Sequence, residues 1–287
     1  MAALNHQSMP PLAIAAAIAS AAIHASWNAA LKAAPRPDRL ADAFLIAVGS
    51  MLVWLVVALA LGAPPARAWP YIAASTGIHL VYWFALFRGY DAGDMSHVYT
   101  LARGSAPLLV ALGAALTVGE MPAPLKAFGI VLVSLGVLAV GVSPRAPLGA
   151  TFWALLTGVS IAGYSLVEAL GARVSGDALV YVGWRTGLTG MIMAAFALWR
   201  RGPRLLADAA TAAPLRGVAI GVLSFVGFVL VVWAQTIAPI GEVTALRETS
   251  VVFGALIAFF FLREHLGVRR WAGAAIVALG AGLIAFG

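Results

Sequence analysis

The chain has 287 residues, of which 62% are hydrophobic and only 10% charged, with a formal net charge of +7. A soluble globule of this length needs a charged, solvated surface that such a composition cannot supply. There is no cysteine, so disulfides and thiolate catalysis are excluded.

Apolar runs of about twenty residues, enough to cross roughly 30 Å of hydrocarbon as helix, recur along the whole length. The short alternating segments of a membrane barrel are missing. The first predicted span, 11–31, carries Ser20, His24, Trp27 and Asn28 on one face, with Lys32 at its end. The leading residues 1–10 hold no Lys or Arg, so a cleaved signal peptide is not expected. Spans two and three follow at 41–62 and 70–87; in the third, His79, Tyr82 and Trp83 lie one turn apart, with Tyr90 just beyond. Span four, 95–117, places Ser96, Tyr99, Thr100, Arg103 and Pro107 on a single face by helical spacing. Span five, 125–142, is glycine-rich (Gly129, Gly136, Gly141), which suits close backbone packing in lipid. Span six, 149–170, contains Tyr164, Ser165 and Glu168, and span seven, 178–199, contains Tyr181, Trp184 and Arg185. Spans eight to ten are 217–236, 241–262 and 270–286; the ninth holds Arg247 and the tenth repeats the glycines as Gly273, Gly280 and Gly282. The connections are short and carry Pro64-Pro65, Pro122–Pro124, Pro144–Pro147 and Gly202-Pro203, so no soluble domain is expected.

With ten spans the loops alternate between two sides, and the basic residues do not divide evenly. One side holds Lys32, Arg36, Arg39, Arg88, Arg145, Arg200, Arg201, Arg204, Arg216, Arg263, Arg269 and Arg270; the other holds only Arg67, Lys126 and Arg173. Twelve against three marks the first side as cytoplasmic and places both termini outside, which in a bacterium means the periplasm. The net charge is thereby accounted for without nucleic acid.

Residues 100–136 and 244–280 align without a gap at a fixed offset. Thr100 matches Thr244, Arg103 matches Arg247, Glu120 matches Glu264, Gly129 matches Gly273 and Gly136 matches Gly280. Ala111, Leu112, Ala114, Val133 and Leu135 match too, well above the roughly three or four identities that composition alone would produce. Span four thus falls on span nine and span five on span ten. This predicts an all-α polytopic protein of ten transmembrane helices built as two five-helix repeats, 1–146 and 147–287. An odd number of spans per repeat makes the second inverted, the architecture of many transporters, with substrate bound where the halves meet.

An ionisable group at membrane depth is expensive unless paired or hydrated, which makes each one a site candidate. Arg103 and Arg247 come first: a guanidinium can grip a carboxylate bidentately, or can serve as an internal strut against backbone carbonyls or Glu248. His79, Tyr82, Tyr99, Trp27, Asn28 and Trp184 are candidates to line a shared cavity with polar and apolar parts. Trp83 and Tyr90 read as structural, Glu168 and Arg185 as an ion pair, and Glu120 and Glu264 as helix-end anchors. Asp91 and Asp94 read as solvated loop residues. The five histidines (6, 24, 79, 97 and 265) are scattered, and neither H-E-x-x-H nor G-x-S-x-G occurs, so no enzyme, metal or cofactor is expected, with an intramembrane enzyme or a non-transporting membrane scaffold as distant alternatives.

With these residues in hand, the chain resembles the drug/metabolite transporter superfamily, specifically its EamA-type ten-span members. The resemblance rests on Leu246-Arg247-Glu248-Thr249-Ser250-Val251-Val252, on Leu262-Arg263-Glu264-His265-Leu266-Gly267 with Gly273, and on the first-half partner Tyr99–Pro107 with Gly119-Glu120. Trp27-Asn28 followed by Lys32 also fits. It implies an inner-membrane exporter of amino acids or related metabolites working by alternating access, with the YddG-like exporters of aromatic amino acids as the nearest likeness. Multidrug or organic-cation efflux is the rival, with Glu168 as its candidate carboxylate. The four-span multidrug relatives use a first-span glutamate, where this chain has His24, so antiport of that type is not expected. The partners implied are a small-molecule substrate and membrane lipid; coupling to protons and the oligomeric state stay open.

Overall fold

The computed structural model describes residues 9–33 and 39–287. His6, Arg36 and the side chain of Arg39 lie outside it. The described residues form twelve α-helices and no strand: α1 (Pro11–Lys32), α2 (Arg39–Leu61), α3 (Trp69–Ala92), α4 (Met95–Val118), α5 (Pro124–Gly141), α6 (Leu148–Ser175), α7 (Ala178–Arg201), α8 (Arg204–Thr211), α9 (Pro214–Ile237), α10 (Ile240–Arg247), α11 (Ser250–Phe260) and α12 (Val268–Phe286). Nine stretches among them are long and apolar enough to cross a membrane, with α10 and α11 counted as one. The remaining long helix, α7, has 24 residues, but Arg185, Thr186 and Thr189 lower its hydropathy and keep it out of that set. The protein is an all-α, polytopic membrane protein.

The helix ends follow from local chemistry. Prolines open α1, α5 and α9, where the missing N–H costs nothing. Asp94 caps α4 by accepting from Ser96 N at 2.8 Å and His97 N at 3.1 Å, and Asp177 caps α7 through Val180 N. Asp94 therefore has a defined role beyond the solvated loop residue expected. Gly119 and Gly176 close α4 and α6 in the left-handed region, at φ of 71° and 81°. Helices α3 and α6 run five residues past their predicted ends, and the extra turn of α6 carries Arg173. The segment after α7, expected as loop, forms α8, an amphipathic helix that buries Leu205 and Ala209.

Large apolar side chains face outward where a soluble protein would place charge: Leu59, Leu116 and Phe261 are about four-fifths exposed. Between helices, packing is set by small residues and by few polar contacts. A Cβ on Gly129 would stand 2.8 Å from Gly280 O, and one on Gly136 would stand 2.9 Å from Gly273 O; the reverse contacts are 2.7 Å each. Helices α5 and α12 therefore touch backbone to backbone, as their glycines predicted. Helix α1 lies on α9 and on the α10–α11 span, while α6 lies on α3 and α4. In terms of the repeats expected from sequence, the first helix of each packs against the third and fourth helices of the other. Ser20 Oγ seals one such contact by donating to Gly227 O at 2.6 Å.

The ninth predicted span departs from a single helix. It stops after Arg247 and restarts at Ser250. Across the break Glu248 N bonds Ala245 O, Thr249 N bonds Leu246 O, Val251 N bonds Glu248 O and Val252 N bonds Thr249 O. These three-residue steps tighten the backbone into a 3₁₀-like turn, and the Thr249 hydroxyl also donates to Leu246 O at 2.7 Å. Irregular backbone at membrane depth is tolerated where protein surrounds it, and Glu248 and Thr249 are both buried.

Candidate functional site

The break in the ninth span carries Arg247 and Glu248 into the middle of the helix bundle. Arg103, two turns into α4, meets Glu248 there, with Nη2 3.0 Å from Oε1. Arg185 from α7 meets Glu168 from α6, with Nε 2.7 Å from Oε1. Ser75 Oγ of α3 donates to the same Glu168 oxygen at 2.9 Å. His79, one turn along α3, holds the Ser75 carbonyl with Nδ1 at 2.9 Å. That bond makes Nδ1 the protonated nitrogen and points Nε2 toward Glu168, 3.9 Å away and too distant for a hydrogen bond. The Glu168–Arg185 pair expected from sequence is present, and Arg103 occupies the strut role against Glu248.

Aromatic rings enclose these charges. His79 stacks on Tyr164 at 4.2 Å between centroids, and Tyr82 meets Tyr164 edge-on at 5.9 Å. Phe228 of α9 lies 6.3 Å from Tyr164 and takes two guanidinium groups against its ring, Arg185 at 4.4 Å and Arg247 at 5.1 Å. Arg247 makes no hydrogen bond and no ion pair with any described residue, although it is buried. It lines a small cavity with Tyr164, Ser165, Glu168, Phe228 and Gln235. The free space there is about 10 Å³, room for about one water molecule.

The other sequence candidates divide. His24 lies at the limit of hydrogen bonding to Tyr99, 3.5 Å from its hydroxyl, and meets Trp27 edge-on at 4.9 Å, so Trp27 and Tyr99 form a second group. Asn28 turns back onto its own helix, donating to the His24 carbonyl at 2.7 Å. Trp184 is carried elsewhere: it stands edge-on to Trp54 and Trp69 at 5.5 and 5.3 Å and donates to Gly62 O, tying α7 to the end of α2. Trp83 stacks with Phe87, in keeping with a structural role.

Several polar contacts were not legible from sequence. Lys126 of α5 pairs with Glu242 of α10 at 3.2 Å, both buried. His97 receives Ser143 N on Nδ1 at 3.1 Å, which leaves Nε2–H to donate to Thr151 Oγ1 at 3.1 Å. Phe228 had no marker, being one of three aromatics in a largely apolar helix. Glu242 and Lys126, each falling just inside a predicted span, gave the usable signal.

The repeated glutamates join the halves at opposite ends. Glu120 accepts from Arg173 at 2.7 Å and from Ile240 N at 2.7 Å, while Arg173 also donates to Gln235 O and Ala238 O. Glu264 pairs with Lys32 at 2.6 Å, and that lysine is largely exposed. Both act as the helix-end anchors expected.

Residues 148–286 match the model of the EamA-like transporter family. No curated protein sequence matches the chain. A crystal structure described only as that of a protein shares the fold, with a TM-score of 0.73 and 18% identity over 98% of each chain.

Proposed function

The chain belongs to the EamA-type transporters of the drug/metabolite transporter superfamily, and from that premise we propose that it exports amino acids and related small carboxylates by alternating access. It is a multi-pass membrane transporter; the substrate, the direction and the cycle are the proposed part. The observation that carries the reading is Arg247: a buried guanidinium with no hydrogen bond or ion pair among the described residues, held only against the Phe228 ring, at the break of a membrane helix, beside a cavity lined by Tyr164 and Phe228. Discontinuous helices place substrate sites near the bilayer middle. Arg247 takes the carboxylate, and Phe228, Tyr164, Tyr82 and His79 bound the rest of the molecule. Arg103, Tyr99, Trp27 and Asn28 stand behind it, and Trp184 supports the scaffold.

The two units are residues 1–146 and 147–287, inverted relative to each other. The exchanged packing of α1 and α6 on the opposite half supports this, as does the repetition of Glu120 as Glu264. The basic-residue asymmetry supports a bacterial inner membrane with both termini periplasmic. In that orientation Glu120–Arg173 closes the outer side and Lys32–Glu264 spans the inner side. With about 10 Å³ free at the centre, the halves must part for a substrate to enter.

Organic-cation efflux needs an available carboxylate. Its candidate, Glu168, is engaged by Arg185 and Ser75, which favours the carboxylate reading. Flux through purified protein in liposomes tests the reading with labelled amino acids, hydroxy acids and a quaternary ammonium ion. Uptake of carboxylates above empty liposomes is expected. Uptake of the quaternary ammonium alone, or of nothing, would overturn it.

A further inference from the structure

Five buried carboxylates occur among the described residues, and each has a cation within ion-pair distance: Asp42 with Arg216, Glu120 with Arg173, Glu168 with Arg185, Glu242 with Lys126 and Glu248 with Arg103. Arg247 is the buried cation left over. Charging either His24 or His79 would only add to the surplus. Arg247 rests against the Phe228 ring, yet Glu168 and Glu248 face three arginines there, a surplus of one positive charge that is costly inside a membrane protein and that a transient anionic ligand would offset.

The hydrogen-bond inventory points the same way. Arg103 Nη2, Arg185 Nε and Nη2, and Arg247 Nε are buried without an acceptor, since the Arg103 and Arg185 ion pairs are close but out of line. Against these four donor nitrogens stands one unmet carboxylate oxygen, Glu248 Oε2. The ring of Phe228 attracts both Arg185 and Arg247 but accepts from neither in their own plane. Arginines with spare N–H groups in a dry site fit carboxylate oxygens bidentately.

We propose that, among the carboxylates of that reading, this site prefers organic anions of net charge −1, with one carboxylate, no ammonium group and an apolar or aryl body, carries zwitterionic amino acids more slowly, and rejects cations. The proposal rests on the reading that the cavity beside Arg247 binds substrate. A monocarboxylate brings the cluster to neutrality and supplies acceptors to its surplus donors. A zwitterion supplies the same carboxylate but adds an ammonium; even seated on Glu248 Oε2, that group returns the cluster to its original surplus. A cation adds to the surplus outright. The apolar wall of Phe228, Val231, Val232 and Tyr164 accommodates the body of the ligand.

Three labelled probes that share one phenyl scaffold isolate charge: phenyllactate (−1), phenylalanine (0) and phenethyltrimethylammonium (+1). Each is offered to purified full-length protein in liposomes, with empty liposomes as background and charge movement recorded in parallel. Phenyllactate flux is expected to exceed phenylalanine flux at least about tenfold, the discrimination that some 1.4 kcal/mol gives, and to carry negative charge. Phenylalanine moving as fast as phenyllactate overturns charge selection while leaving carboxylate transport standing. Movement of the cation alone, or of no probe, overturns both. Arg247→Lys keeps the preference for the anion, whereas Arg247→Gln reduces it. The wild-type comparison needs no variant to fold.

Discussion

Arg103 and Arg247 occupy the same place in the two copies of one sequence, each three residues after a threonine, yet they end in opposite electrostatic states. Arg103 sits in an unbroken α4 that tolerates Pro107 in its interior, and it is paired with Glu248. Arg247 ends α10, and the glutamate that follows it in sequence has been taken by the other copy's arginine. Only one copy carries that glutamate: Gly104 stands where the second copy has Glu248. One extra carboxylate for two arginines leaves one cation free. On the proposed reading, duplication supplies the pair of cations, and the divergence of a single neighbouring residue assigns Arg103 to structure and Arg247 to ligand.

The comparison breaks most visibly if the structural arginine is removed. Arg103→Gln strands Glu248 in a buried site and is expected to cost about 3–5 kcal/mol, read as a lower thermal midpoint of the purified protein. Adding Glu248→Gln restores most of the loss; a double variant no more stable than Arg103→Gln would show that the pair is not what matters. The repeated glutamates form the same contrast at the bundle ends. Glu120→Gln weakens charged hydrogen bonds to Arg173 and to the start of α10, with an expected loss of about 2 kcal/mol. Lys32→Gln, at the exposed Lys32–Glu264 pair, is expected to cost under about 1 kcal/mol. Equal losses at the two ends would contradict their different burial. The smallest stability effect belongs to Arg247→Gln: with no partner to strand, its thermal midpoint stays at the wild-type value or rises slightly.

Much of this contrast lies outside what composition and spacing reveal. The spans were legible because a bilayer demands about twenty apolar residues per crossing; the glycines marked α5 and α12 as closely packing helices, but not as each other's partner. The break at Glu248-Thr249 was not legible. It carries no proline or glycine, and it coincides with the Arg103–Glu248 pair, a contact between distant helices. Pro107 gave the opposite cue, marking the copy that stays helical. Among the candidates, His79, Tyr82, Arg103 and Arg247 converge on the centre, whereas Trp184 turns away. Helical spacing gives the face of a side chain but not which neighbour covers it, and Trp54 and Trp69 are what cover Trp184. Phe228 escaped notice for the same reason: its contacts with Arg185 and Arg247 exist only once α7, α9 and α10 are packed together.

The most direct test of Arg247 as the ligand-binding member of the pair is equilibrium binding of phenyllactate to purified wild type and Arg247→Gln, with the thermal midpoint of both proteins measured alongside. Saturable binding weakened at least about tenfold by the substitution, at an unchanged midpoint, is the expected result. An unchanged Kd in a stably folded Arg247→Gln protein would contradict it.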